Sequence, residues 1–260
     1  MTTVIYDGSF EGLLTAVFEI YEYKINDPAI YATEHAASNL FGNTHTVTTD
    51  ISKFERVYKK LKQKLTPNAL SQLCNSFLSE FKEISDVTYR HIVYVLSSKT
   101  AVENNFSNPD VLFLQQTSRK VHREKHRMEA FVRFQLTKDA LYYCIIQPDY
   151  NVLPLISNHF EKRYADQRWL IYDSRRKYGI YYDLQKVETV FLNFEVDSND
   201  KKAMAAICDE KEELYQRLWQ QYFSSVNIVA RKNIKLHIQH MPKRYWRYLV
   251  EKKTSVNGEY

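Results

Sequence analysis

Glycine and proline are scarce in this chain of 260 residues, which contains 5 Gly and 6 Pro. Neither a GxGxxG nor a GxxxxGK[ST] pattern occurs, so the glycine-rich loops that hold dinucleotides and nucleoside triphosphates are not present. Hydrophobic residues make up 44% of the chain, which is typical of a folded globular protein. We therefore expect a folded protein that is neither a P-loop enzyme nor a Rossmann enzyme.

Cysteine is scarce as well, and long apolar runs are missing. Cys74, Cys144 and Cys208 lie far apart, form no CxxC pair and sit in apolar patterns, so we expect reduced, buried thiols and no iron–sulfur cluster. No run approaches the ~20 apolar residues of a membrane span, and the N-terminal residues lack the pattern of a signal peptide. These features predict a cytoplasmic protein that does not bind membranes.

Positive charge is concentrated in three stretches of the chain. The whole chain carries a net charge of +5, counted as Lys and Arg against Asp and Glu, whereas residues 119–133 carry +4, residues 162–177 carry +4 and residues 231–253 carry +7. The rest of the chain is therefore net −10. This distribution favours a polyanionic partner, although lysine and arginine also cover ordinary solvated faces.

The sequence predicts an α+β fold with a mainly helical N-terminal part. Apolar residues at strand and then helical spacing predict a strand at Val4–Tyr6 and a helix from Phe10 to Tyr21 with Ser9 or Asp7 as its cap. Further helices are expected at Ile51–Leu65, from Pro67 to Phe81 and around His91–Leu96, and the segment between Asn26 and Asp50 is expected to be a polar connection. The lysine-rich back of the helix at Ile51–Leu65 is interpreted as solvated.

Alternating hydrophobicity predicts strands in the middle of the chain and a helix near its end. Two antiparallel hairpins are expected to flank a helix at 153–164. Their predicted strands are 128–135 and 141–146, then 168–172 and 179–182, with a further strand at 187–194. A long helix is predicted from about Asp200 to Phe223, followed by a helical C-terminal segment. We expect one domain over 1–260, with a possible division into 1–110 and 111–260.

The segment Ser118–Phe134 combines basic residues with rings, as does the segment from Lys243 to Arg247 near the C-terminus. Basic groups with interleaved rings can bind a nucleic-acid backbone and stack bases. Alternatively, Trp246 and Leu249 dock a C-terminal helix on the core. The residues that we predict to contact nucleic acid are Lys120, Arg123, His126, Arg127, Arg133, Arg175, Arg176, Lys243, Arg244, Tyr245, Trp246 and Arg247.

Catalytic and metal-binding patterns are weak. His122 and His126 are four residues apart and would share a helix face, but the spacing reveals no third ligand, so we predict no metal and no cofactor. An acid or base hidden among Asp7, His126, Asp173 and Asp183 is the alternative on which a nuclease or base-processing activity would depend.

Four blocks in the chain carry a family resemblance: YDGSFEGLLTAVFE, HREKHRMEAFVRF, RWLIYDSRRKYGIYYD and MPKRYWRYLVEK. In these ordered blocks the chain resembles a bacterial family of DNA metabolism or repair proteins, a domain of unknown function. The resemblance implies a DNA repair component that acts with a uracil-DNA-glycosylase-like protein and a radical S-adenosylmethionine (radical SAM) protein. It carries over no catalytic residue, so a DNA-binding protein, an enzyme and a protein-only scaffold for these partners all remain open.

Overall fold

The computed structural model describes residues 2–36, 43–191, 218 and 238–252. The chain divides into two compact units, residues 1–122 and 123–260. Among the described residues, no helix is both long enough and apolar enough to cross a membrane.

The first unit begins with the predicted strand and helix. Strand β1 (Thr2–Tyr6) leads into helix α1 (Phe10–Glu22), and the Ser9 hydroxyl caps that helix by accepting a hydrogen bond from Gly12 N at 2.9 Å. Strands β2 (Pro28–Ala32) and β3 (Asn43–Thr46) pair in parallel with the two sides of β1. The segment that we expected to be a connection therefore supplies two of the three strands of a sheet.

Three further helices of the first unit follow the predicted positions. They are α2 (Ile51–Lys64), α3 (Pro67–Phe77) and α4 (Ile84–Ser97). Asp50 caps α2, and Thr66 caps α3 with Pro67 at its first turn, which confirms the predicted start of α3. The sheet is tied to α4 because the Tyr6 hydroxyl and Ser85 Oγ lie 2.9 Å apart. Burial raises the pKa of Tyr6 to about 12, although the hydrogen bond with Ser85 acts in the opposite direction.

Helix α5 (Pro109–Phe131) corrects the prediction of a strand at 128–135. Asn108 begins the helix, since its side-chain oxygen accepts hydrogen bonds from the backbone of Asp110 and Val111. The buried residues of its second half recur at helical spacing: Val121, Glu124, Met128 and Val132, which follows the last turn. The polar Glu124 interrupts that apolar period in the sequence, and the short alternating run after it was therefore assigned the wrong period.

The second unit contains a five-stranded sheet of order β4-β5-β6-β7-β8. Its elements are β4 (Gln135–Leu136), β5 (Tyr142–Ile146), α6 (Leu153–Arg163), β6 (Trp169–Asp173), β7 (Tyr178–Tyr182) and β8 (Val187–Phe191). Antiparallel hairpins flank α6 as predicted, but β5 and β6 are parallel because α6 crosses over between them. The sheet is mixed, whereas a purely antiparallel layer was expected.

The chain near its C-terminus forms two short 3₁₀ segments, Lys243–Tyr248 and Val250–Lys252. We call the first the KRYWRY segment. Tyr245 and Leu249 are buried, which agrees with docking of this region on a core. The helix predicted from about Asp200 to Phe223 lies outside the described residues, apart from position 218. Helices and strands are mixed throughout, and the α+β fold class is confirmed.

Candidate nucleic-acid interface

A buried carboxylate on α5 organises one end of the second unit. Glu124 is 1% exposed, and both of its carboxylate oxygens accept from the Tyr245 hydroxyl, at 2.5 and 2.6 Å. Asp149 N donates to Oε1 at 2.9 Å, and Arg244 Nη2 lies 3.3 Å from Oε2. Arg127 adds a longer ion pair at 3.6 Å. A buried charge needs such partners to offset its lost hydration, so Glu124 fixes the KRYWRY segment to α5.

The electrostatic environment of this cluster keeps Arg244 charged and Tyr245 neutral. Burial, and then the neighbouring Glu124 carboxylate, raise the pKa of Tyr245, so its hydroxyl remains a donor. Burial alone would lower the pKa of Arg244, but Tyr245, Glu124 and Asp149 outweigh it and the pKa is raised. Arg244 also pairs with the Asp149 carboxylate at 2.7 Å.

The connection between β5 and α6, residues 147–151, joins this cluster to the turn between β6 and β7. Arg175 Nη1 donates to the Asp149 carbonyl at 3.1 Å, and Arg176 donates to the carbonyls of Pro148 and Asp149, each at 3.2 Å. The Tyr248 hydroxyl donates to Gln147 Oε1 at 3.2 Å. Residues from α5, the β6–β7 turn and the KRYWRY segment, far apart in the sequence, therefore meet at one connection.

The β6–β7 turn holds a buried carboxylate beside its cations. Asp173 is fully buried, and its Oδ1 accepts from the backbone of Arg175 and Arg176. Its Oδ2 accepts from Arg176 Nη1 at 2.8 Å, and the Arg176 side chain is only 9% exposed. Arg176 is therefore a structural cation of this turn, while the neighbouring Arg175 is exposed.

Two further predicted contact residues are engaged inside the protein. Arg133 Nη2 pairs at 2.9 Å with Glu251, whose side chain is completely buried. Tyr245 is 2% exposed and its hydroxyl is bound to Glu124, so the expectation that its ring is available to a base is corrected. The pairing of Arg133 with a buried carboxylate cannot be recognised from the charges near it in the sequence, because Glu251 lies far from Arg133.

The other predicted residues lie at different places. Lys120 belongs to the first unit, where its ammonium lies 5.8 Å from the centre of the Phe81 ring. His126 is 63% exposed and its Nδ1 lies 3.1 Å from Glu129 Oε2. Within the described ranges, no group of three His, Cys, Asp or Glu side chains is arranged to hold a metal ion.

Five predicted cations remain exposed on the second unit, and we call them the cationic rim. They are Arg123, Arg175, Lys243, Arg244 and Arg247. Burial raises the pKa of Tyr150, and the charges of Arg244 and Arg123 oppose this rise. Sequence reasoning missed Glu124, Asp149 and Tyr150. The only available signal was a lone carboxylate, Glu124, within an otherwise apolar helical register.

The proposed acid or base residues have structural partners. Asp7 accepts hydrogen bonds from the backbone and hydroxyl of Ser9 and from the Thr49 hydroxyl, which together leave its pKa lowered although burial opposes this. Asp183 accepts from the backbone of Gln185 and Lys186, and these bonds lower its pKa. Both carboxylates thus stabilise turns, as Asp173 does.

Comparison with known proteins identifies a family for this chain. No curated protein matches the chain at a significant level. A family model described as a domain of unknown function, DUF4130, matches residues 82–251, about two-thirds of the chain, and includes all five residues of the cationic rim. Two of the four blocks that carry the resemblance fall within that match, and a third does so except for its last residue, Lys252. The chain therefore belongs to the DUF4130 family, a domain of unknown function.

Proposed function

We propose that this chain is a nucleic-acid-binding protein of DNA repair or DNA metabolism, and that the cationic rim contacts DNA phosphates. The observation that carries the proposal is the connection at residues 147–151, which is bound to the Glu124 carboxylate on α5 and holds Arg175 and Arg244, cations from two distant segments. Cations that served only to keep the protein soluble would not need to be held by the same connection between β5 and α6.

The rim is positively charged even after its internal pairs are counted. Its five cations outnumber the two carboxylates with which Arg244 pairs, those of Asp149 and Glu124. The Glu124 and Asp173 carboxylates are buried and face structural partners. A surface of this kind suits a polyanion, since each cation placed on a phosphate releases a condensed counterion.

The interaction can be tested with the double variant Arg175→Ala/Arg247→Ala. We expect it to bind DNA of any sequence more weakly. We also expect the slope of log K against log salt to become shallower by about 2, because each lost phosphate contact removes about 0.9. The measurement is a fluorescence-anisotropy titration of the full chain at several salt concentrations.

Arg168→Ala is the matched control, because Arg168 is an exposed arginine of the same unit whose guanidinium donates to the Asp139 carbonyl outside the rim. This control should bind as the wild type does. Equal affinity and equal slope for the double variant and the wild type would contradict the proposal.

The family resemblance supports a place for this protein beside other repair components. We propose that a uracil-DNA-glycosylase-like protein and a radical SAM protein act with it on the same DNA. Co-purification of the three proteins with and without DNA tests this arrangement. A complex that forms without DNA and tolerates the arginine substitutions would favour a protein-only scaffold instead.

A further inference from the structure

Each ring of the KRYWRY segment has a cation over its face. The Arg244 guanidinium lies 4.5 Å from the centre of the Tyr245 ring, and the Arg247 guanidinium lies 4.7 Å from that of Tyr248. The ammonium groups of Lys252 and Lys243 lie 4.9 and 5.8 Å from the centre of the Trp246 ring. These are the distances of cation–π contacts.

The polar edges of the same rings are also engaged. Tyr245 donates to Glu124, Tyr248 donates to Gln147, and Trp246 Nε1 donates to the Met241 carbonyl at 2.9 Å. These hydrogen bonds hold the three rings in place beneath their cations. A nucleic-acid base that stacked on one of these covered faces would have to displace the cation that binds a phosphate most readily.

We propose that the cationic rim recognises the phosphate backbone alone and that its ligand is double-stranded DNA, bound without regard to sequence. This inference rests on the proposed function and specifies its substrate class. The rings act as positioning residues that hold Lys243, Arg244 and Arg247 toward the solvent. Proteins that bind single strands use open aromatic faces as stacking platforms, and the KRYWRY segment uses its faces for its own cations.

The preference for a duplex follows from charge density. Double-stranded DNA carries one charge per about 1.7 Å of axis, and its binding releases about 0.9 counterion per neutralised phosphate, against about 0.7 for a single strand. A surface that contacts phosphates only will therefore bind the duplex more tightly and with steeper salt dependence. With five rim contacts, the expected slopes are about −4.5 for duplex and about −3.5 for single strand.

The test is an anisotropy titration of the full chain with a labelled oligonucleotide, both alone and annealed to its complement, over a series of salt concentrations. We expect tighter binding and a steeper slope for the duplex, and equal affinities for duplexes of different sequence. Oligo-dT added to saturation should quench the tryptophan emission of the wild type and of Trp246→Phe to the same extent, because no base stacks on Trp246.

Two results would overturn the inference while leaving the proposed function intact. One is tighter binding of the single strand, and the other is oligo-dT quenching that the wild type shows and Trp246→Phe loses, which would place a base on that ring. If the chain bound neither the duplex nor the single strand at low salt, the proposed function itself would be refuted. Because phenylalanine keeps an aromatic ring at position 246, we expect Trp246→Phe to fold, and a difference in quenching can be assigned to Trp246.

Discussion

The two units differ in how their carboxylates are paired with cations. In the second unit, Glu124, Asp173 and Glu251 are buried, and each is paired with an arginine. In the first unit, Arg90 pairs with Asp110 while its own side chain remains 53% exposed. Glu19 there is bound by Lys53 and His45, and its side chain is 11% exposed, against 1% or less for the three carboxylates of the second unit.

Because of this difference, a count of lysines and arginines in the sequence overestimates the positive charge that the second unit offers to a partner. Arg133 and Arg176 each add one positive charge to the basic stretches 119–133 and 162–177, but their role is to neutralise carboxylates inside the fold. A buried pair is costly to break because the remaining charge is left without a partner, whereas an exposed pair contributes little. The cationic rim is therefore smaller than the sequence indicates, and the contrast between the units can be measured.

The largest effect is expected for Asp173→Asn. Asparagine keeps an oxygen that can accept from the backbone of Arg175 and Arg176, but it removes the charge that faces the buried Arg176 guanidinium. We expect a loss of about 3–5 kcal/mol in the free energy of unfolding, the usual cost of an unpaired buried charge. Urea denaturation followed by circular dichroism provides the measurement.

Asp183→Asn is its matched control, because Asp183 accepts two backbone hydrogen bonds in the same pattern at a more exposed turn. Its loss in the free energy of unfolding should be much smaller, because solvent screens the charge at this turn. Equal losses for the two variants would show that burial of Asp173 does not distinguish the second unit.

A smaller effect is expected for Tyr245→Phe. The change removes the hydroxyl that donates to the buried Glu124 carboxylate, and leaving such an acceptor with fewer partners costs about 1–3 kcal/mol. Tyr248→Phe, in the same segment, removes a bond to Gln147 from a half-buried ring and should cost less. A larger loss for Tyr248→Phe would mean that Glu124 does not anchor the segment.

Much of the fold could be predicted from local patterns. The caps Ser9 and Thr66 marked the starts of α1 and α3, and period-2 and helical patterns located β5, α6, β6 and β7 near their observed bounds. These signals depend on residues close in the sequence. The strands β2 and β3 were missed because their pairing with β1 is a long-range property of the chain.

The candidate site could be predicted only in part. All five cations of the rim are among the residues predicted from the sequence, because charge and ring spacing are visible in it; their contact with DNA stays a prediction. It could not separate Arg175 from Arg176, which are adjacent and chemically identical, because Asp173 selects one of them only in three dimensions. Glu124 was missed for the same reason, since its partners Asp149 and Tyr245 lie on other segments.

The smallest expected effect concerns Glu19 in the first unit and appears as a dependence on pH. Burial would raise the pKa of this carboxyl, but hydrogen bonds from Lys53 Nζ at 2.8 Å and from His45 Nε2 at 2.7 Å outweigh it, so the pKa is lowered. The stabilisation is therefore fully present above the unfolded value of about 4.3 and is lost as the pH falls through the lower folded value.

Glu19→Gln should remove part of this acid-induced loss, so that its free energy of unfolding declines less steeply below about pH 4 than that of the wild type. Glu34→Gln, at a carboxylate that is 71% exposed in the same unit, should follow the wild-type curve. Urea denaturation at a series of acidic pH values measures all three proteins. If the curves of Glu19→Gln and the wild type run parallel, the Lys53 and His45 contacts contribute no net stability. The contrast between the units would then be larger, because the buried carboxylates of the second unit are expected to contribute to its free energy of unfolding.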